Sequence, residues 1–221
     1  MLHTPPRAHP SDDVLLEYAA GTLPEATALL VATHLALCPD CREQVRTYEA
    51  VGGALLEQDA AVADADHLLD ACLAALDNDS HFDRDPPPRY CAYGVIPRPL
   101  LDYLPAAETG LDRLWTQRAR GLQEIRIPTE CGLTTKLMRI SAGQPMPRHR
   151  HGGREFTLVL AGGFSDDRGA YRRGDVALAA PGEIHQPVAH DDADCVCLAV
   201  VEGRLALTGP VGRLLNLFVR F

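Results

Sequence analysis

Through the first 77 positions, apolar residues recur at spacings of three and four. Beyond Pro86-Pro87-Pro88 they fall into short runs cut by glycine, proline and aspartate. A helix repeats its buried face every 3.6 residues and a strand every two, so this chain cannot be one uniform architecture. The pattern predicts four helices before the switch. Ser11 is placed to cap the first, Asp12 to Ala20, and Gly21 ends it. The second opens at Pro24 and runs to about Leu37. The third follows Pro39-Asp40 with Val45, Tyr48, Val51, Leu55 and Leu56 on one side, locally weakened by Gly52-Gly53. The fourth, Ala63 to Leu76, aligns Leu68, Leu69, Cys72, Leu73 and Leu76. After the proline run, strands are expected at 123–127, 133–140, 156–161, 175–179 and 195–201, separated by turn residues such as Asp166-Asp167-Arg168-Gly169. The segment 211–221 suits either a closing helix or a closing strand. Trp115, the only tryptophan, is expected to anchor the start of the β region.

Two sets of metal-ligand residues sit in these two regions. His34 and Cys38 lie one helical turn apart, and Cys41 follows across the Pro39-Asp40 turn. Three imidazole or thiolate donors within eight residues suit tetrahedral zinc. A fourth donor is required; His9 in the extended N-terminal segment is the candidate, with His3 ranked below it. A small helical unit with little core of its own gains stability from such a metal staple. In the second region His149 and His151 share one face of a strand, Glu155 follows a Gly152-Gly153-Arg154 turn, and His185 returns 30 residues later. Three imidazoles and a carboxylate suit Zn, Fe, Mn, Ni or Cu.

The helical residues His9, His34, Cys38 and Cys41 resemble the zinc-binding anti-sigma domain. That resemblance implies a helical bundle that wraps an extracytoplasmic-function (ECF) sigma factor and keeps it from RNA polymerase. Gly143-x5-His149-x-His151-x3-Glu155-x6-Gly162 resembles the first cupin motif, and Gly174…Gly182-x2-His185 the second. The second departs at Ala180, where proline is usual, and at Ala189, where asparagine is; neither is a ligand position. The two motif sets in this order resemble the ChrR family of anti-sigma factors. The expected fold is therefore α+β and multidomain: an all-α helical bundle with zinc at 1–80, a Pro-rich linker at 81–105, and an all-β cupin (double-stranded β-helix, or jelly roll) at 106–221. The resemblance implies a regulator that senses oxidative stress, notably singlet oxygen, through the cupin.

Composition bears on what else the chain could be. Lys plus Arg number 21 against 30 acidic residues, a net charge of −9 that disfavours phosphate binding and argues against direct nucleic-acid contact. The longest apolar stretch, Ala28 to Cys38, is shorter than the roughly 20 residues of a spanning helix. The first residues lack the apolar core of a signal peptide. Seven cysteines, two of them in C-x2-C, fit a reducing cytoplasm better than a disulfide framework. Cys195 and Cys197 alternate on one strand face, as strand-core thiols or as a candidate redox or ligand pair. Cys72, Cys91 and Cys131 are expected to be structural, and His67, His81 and His190 solvated. The alternative reading is a metal-dependent cupin enzyme of dioxygenase or isomerase type with a helical accessory domain. Arg148, Arg150 and Tyr171 would be its candidate acid/base or orienting groups. A carrier holding a small ligand in the cupin is a third.

Overall fold

The computed structural model describes residues 5–58, 66–78, 96–104, 111–129 and 132–208. His3, His81, Cys91, Cys131, the proline run and 211–221 lie outside them. Five helices lead: α1 (Asp12–Ala19), α2 (Glu25–Leu35), α3 (Pro39–Leu56), α4 (Asp66–Asn78) and the short α5 (Arg98–Leu101). Ser11 stands at the cap of α1, but its side chain makes no capping bond. Its hydroxyl serves Asp13 instead, and that bond is the main cause holding the Asp13 carboxyl below its usual range. The dipole of α1 is met by Asp12 and Asp13 in its first turn. In α3, Pro39 occupies the first turn and Cys38 caps it, its Sγ accepting from the Cys41 backbone N–H at 3.5 Å.

Twelve strands follow. One antiparallel sheet orders β1 (Thr116–Ala119), β2 (Leu122–Ile127), β3 (Thr134–Ile140), β11 (Cys195–Val201), β5 (Glu155–Ala161) and β8 (Val176–Ala179). A second orders β10 (Val188–Ala189), β6 (Gly163–Asp166) and β7 (Gly169–Arg172). A third orders β12 (Leu205–Leu207), β4 (His149–His151) and β9 (Ile184–His185). This is the antiparallel cup expected of a cupin. The turn expected around 166–169 is the β6–β7 hairpin, with Asp166 paired to Gly169. Gly162 of the first cupin motif has φ +61°, and a Cβ there would collide with the Asp194 carbonyl; only glycine fits.

The central strands β5 and β11 of the six-stranded sheet are buried on both faces. Along β11, Cys197, Ala199 and Val201 face the cup, while Val196, Leu198 and Val200 face the helices. Along β5, Glu155 and Thr157 face the cup, and Phe156, Leu158 and Leu160 the helices. Helix α2 is buried on nearly every side, through Ala26, Leu29, Leu30, Val31, His34 and Leu35. It packs on β5 and β11 and also on α1, α3 and α5. A helix so apolar needs cover all round, and the sheet supplies part of it. The change near residue 80 is one of secondary structure, not a break in the core: Val14, Leu15 and Leu30 share one cluster with Leu137, Phe156 and Leu198. Leu100 and Leu104, within the segment expected as linker, are buried in that cluster too. Trp115, just before β1, packs against it.

Candidate metal centres

In the helical site, α2 delivers His34, the α2–α3 turn delivers Cys38 and Cys41, and the extended arm before α1 delivers His9. One donor atom from each lies within 4.8 Å of all the others. His9 Nδ1 is 3.3 Å from Cys41 Sγ and 3.5 Å from Cys38 Sγ. Zinc bonds of ~2.0–2.3 Å make tetrahedral edges of about 3.3–3.8 Å, so these separations fit that ion. His34 Nδ1 meets the Gly174 carbonyl oxygen at 2.8 Å. With the proton there, the lone pair is on Nε2, which is buried and has no hydrogen-bond partner among the described residues. A buried acceptor without a partner is costly unless a cation takes its lone pair. Burial lowers the His34 pKa to about 4, which keeps the ring neutral as a ligand must be. Burial, with Cys38 beside it, pushes the Cys41 thiol up to about 12. A divalent ion reverses that, because it stabilises the thiolate directly.

In the cup, β4 presents His149 and His151 on its inner face, β5 begins at Glu155, and His185 on β9 pairs in register with His149. All four are buried. His149 Nε2 and His185 Nε2 face each other at 3.0 Å, and Glu155 Oε2 is 3.2 Å from both His151 Nε2 and His185 Nε2. His149 Nδ1 points at the Pro147 carbonyl at 2.6 Å, which turns its other lone pair into the cluster. These separations match adjacent corners of a five- or six-coordinate ion, about 3.0 Å for bonds of ~2.1 Å, and are tighter than a tetrahedron's edge. An ion of that kind held by these four donors would have positions open. Burial brings His149 down to about 4. Burial raises the Glu155 carboxyl, but the His151 and His185 imidazoles outweigh it and hold the group ionised.

The rest of the cup is mostly apolar, with Met138, Ile140, Met146, Phe164 and Cys197 on its wall, joined by Lys136, Thr157 and Arg168. Cys195 and Cys197 are free thiols buried on that side of β11. Cys197 is raised by its contact with Cys195, by burial and by Glu155. The two departures from the motif leave the loop closed: the Ala180 N–H donates to Glu183 at 2.8 Å, and Ala189 is buried in the cup wall. Arg148 and Arg150 are exposed, and Tyr171 stacks on Phe164 at 5.0 Å. Two expectations need correction. Cys72 is exposed on α4 because that helix is uncovered there. His190 is half-buried, its Nε2 2.8 Å from Ser165 Oγ. The motifs did not reveal the groups behind the ligands: Gly174 and Pro147, which orient imidazoles, or Asp166, whose Oδ2 is 3.8 Å from His185 Nδ1. Asp166 and Arg168 stood out only as turn residues.

The fold and the two donor sets together define a class: a helical zinc-finger unit fused to a cupin. The profile of the ChrR cupin-like domain matches residues 111–206, and a zinc-finger profile matches residues 12–42. The anti-sigma-E factor ChrR of Cereibacter sphaeroides is 38% identical over 214 residues, 97% of this chain and 98% of that protein. The chain belongs to the ChrR family of anti-sigma factors, which are regulators and not enzymes. The crystal structure of Rhodobacter sphaeroides SigE in complex with the anti-sigma ChrR superimposes with a TM-score of 0.74 at 38% identity, covering 89% of this chain and 99% of that one.

Proposed function

We propose that this protein sequesters an ECF-type sigma factor with its helical half and releases it when the cupin half registers oxidative stress. The observation that carries the first part is an uncovered apolar face. Val51, Leu55 and Leu56 at the end of α3, and Leu68, Leu69, Leu73 and Leu76 along α4, are each more than half exposed. Leucines spaced by three and four on open helices are the pattern of a helix that docks a partner. The solved complex of the family relative with SigE supports a sigma factor as that partner. The labour divides between 1–80 for capture and 106–221 for sensing, joined by 81–105.

In this reading His9, His34, Cys38 and Cys41 hold structural zinc, filling all four positions. His149, His151, Glu155 and His185 hold zinc, manganese, iron or nickel, and a small ligand can enter the apolar cup. Cys195 and Cys197, both buried beside the cup, are the candidate redox pair. No described helix is long and apolar enough to cross a membrane, and the cytoplasm is the expected compartment. The test is co-expression with the ECF sigma factors of the host, followed by capture and transcription in vitro. Stoichiometric capture that silences one sigma factor supports the proposal; capture of none by the zinc-loaded protein overturns it.

A further inference from the structure

The helical metal site is not assembled by the helical half alone. Asp175, immediately before β8, is 5% exposed. Its Oδ1 accepts from the backbone N–H of Arg7 at 2.6 Å and of Ala8 at 3.0 Å, and its Oδ2 accepts from Arg172 N–H at 2.8 Å. The Val176 N–H donates back to the Ala8 carbonyl at 2.9 Å. Residues 7 and 8 are thus pinned to the start of β8, and the next residue is His9. One position earlier, the Gly174 carbonyl takes the His34 Nδ1 proton at 2.8 Å. Gly174 has φ +92°, and a Cβ there would come within 2.6 Å of Pro6 Cγ, so the arm lies directly on this turn. Two consecutive β-domain residues therefore orient two of the four donors. The other end of the same strand reaches the cup: Ala177 and Ala179 line it, and Ala179 pairs with Glu155.

We propose that Gly174 and Asp175 form a latch through which the β-domain positions His9 and His34, and that β8 couples the helical metal site to the cup. The inference rests on reading both donor sets as metal sites, not on the identity of the partner. A group that fixes an imidazole's tautomer and direction sets its quality as a ligand, and loss of such support lowers metal affinity about 10–100-fold. Removing the Asp175 carboxylate also strands the Arg7 and Ala8 amides and frees the arm that carries His9. Coupling of this kind is reciprocal, so a change in the cup alters zinc retention in the helices by the same factor that zinc there alters the cup.

The test uses the full-length protein with cobalt in place of zinc, because thiolate-to-cobalt absorption reports the Cys38–Cys41 site. Asp175→Ala and Gly174→Ala should each release that metal to a competing chelator about tenfold more readily. Both should abolish hydrogen-exchange protection at Arg7 and Ala8 while the cup keeps its equivalent of metal. His185→Ala should weaken helical-site retention in the unaltered background and have no further effect on it beside Asp175→Ala. Should Asp175→Ala fail to fold, Asp175→Asn decides, with a smaller loss expected because one acceptor oxygen remains. If folded latch variants keep normal metal competition and normal exchange, the latch is wrong. If they lose metal but His185→Ala never changes helical-site retention, the coupling through β8 is wrong. Sigma capture is scored separately, and its failure would overturn the functional reading while leaving these results standing.

Discussion

His34 shows how one side chain joins two halves of a protein: Nδ1 is tied to Gly174 across the fold, and Nε2 is left for the metal. With the metal stripped, His34 and His149 both titrate near 4, against 6.5 for a free histidine. Between those values the unfolded chain binds protons that the folded one refuses, so stability falls as pH drops from about 6.5 to 4. Each group accounts for on the order of 3 kcal/mol, fully lost only below the lower value. Urea denaturation of chelator-treated protein should give a lower midpoint at pH 5 than at pH 7; an equal or higher midpoint contradicts the burial of these rings. Cys38 caps α3 and, in the proposed reading, also offers a thiolate to zinc. Cys38→Ser should remove the N-terminal zinc, reduce helicity and abolish sigma capture together, measured by metal analysis, circular dichroism and pull-down. Structural zinc of this type contributes roughly 10 kcal/mol to folding.

At the scale of elements, α3 and α4 differ from α2 in what they leave uncovered. The leucines of α4 touch solvent, so Leu69→Asp with Leu73→Asp should change thermal stability little, within about 0.5 kcal/mol per site. The same pair should weaken sigma binding at least tenfold by calorimetry if this face is the docking surface. Gly53 lies inside α3, and a Cβ there meets nothing within 4 Å. Gly53→Ala should therefore stabilise the helix by about 0.5–1 kcal/mol, read as a higher denaturation midpoint. Helices α1 to α4 were legible in the 3.6-residue periodicity and the long central strands in their apolar runs; the one-turn α5 was not. The short strands β4, β6, β7, β9, β10 and β12 were not all legible as strands, since two to four residues hold too little pattern to separate from turns. Even so, the His149-x-His151 alternation marked β4.

For the whole molecule, the shared core has a consequence for cooperativity. Trp115 and α2 pack into one cluster, so the helices and strands that share it should unfold together. Trp115 fluorescence and the far-UV helical signal should then give coincident transitions in full-length protein, and clearly separated ones would contradict a common core. His149→Ala, Glu155→Ala or His185→Ala should still silence the sigma factor at rest but fail to release it under oxidative stress, as read by a reporter. Loss of inhibition at rest would place the cup within the clamp.

The sequence by itself pointed to the two architectures and to the eight residues that the structure gathers into two clusters. Helical i, i+4 spacing, strand i, i+2 spacing and short turns bring most of each set together locally, and His9 and His185 were found by motif. Only the tertiary structure decided that Asp175 and Gly174 support the helical site, that α2 roofs the six-stranded sheet, and that α4 lies open. These contacts join residues up to 168 positions apart. No local periodicity encodes them, because they arise from how buried faces find one another once the elements exist.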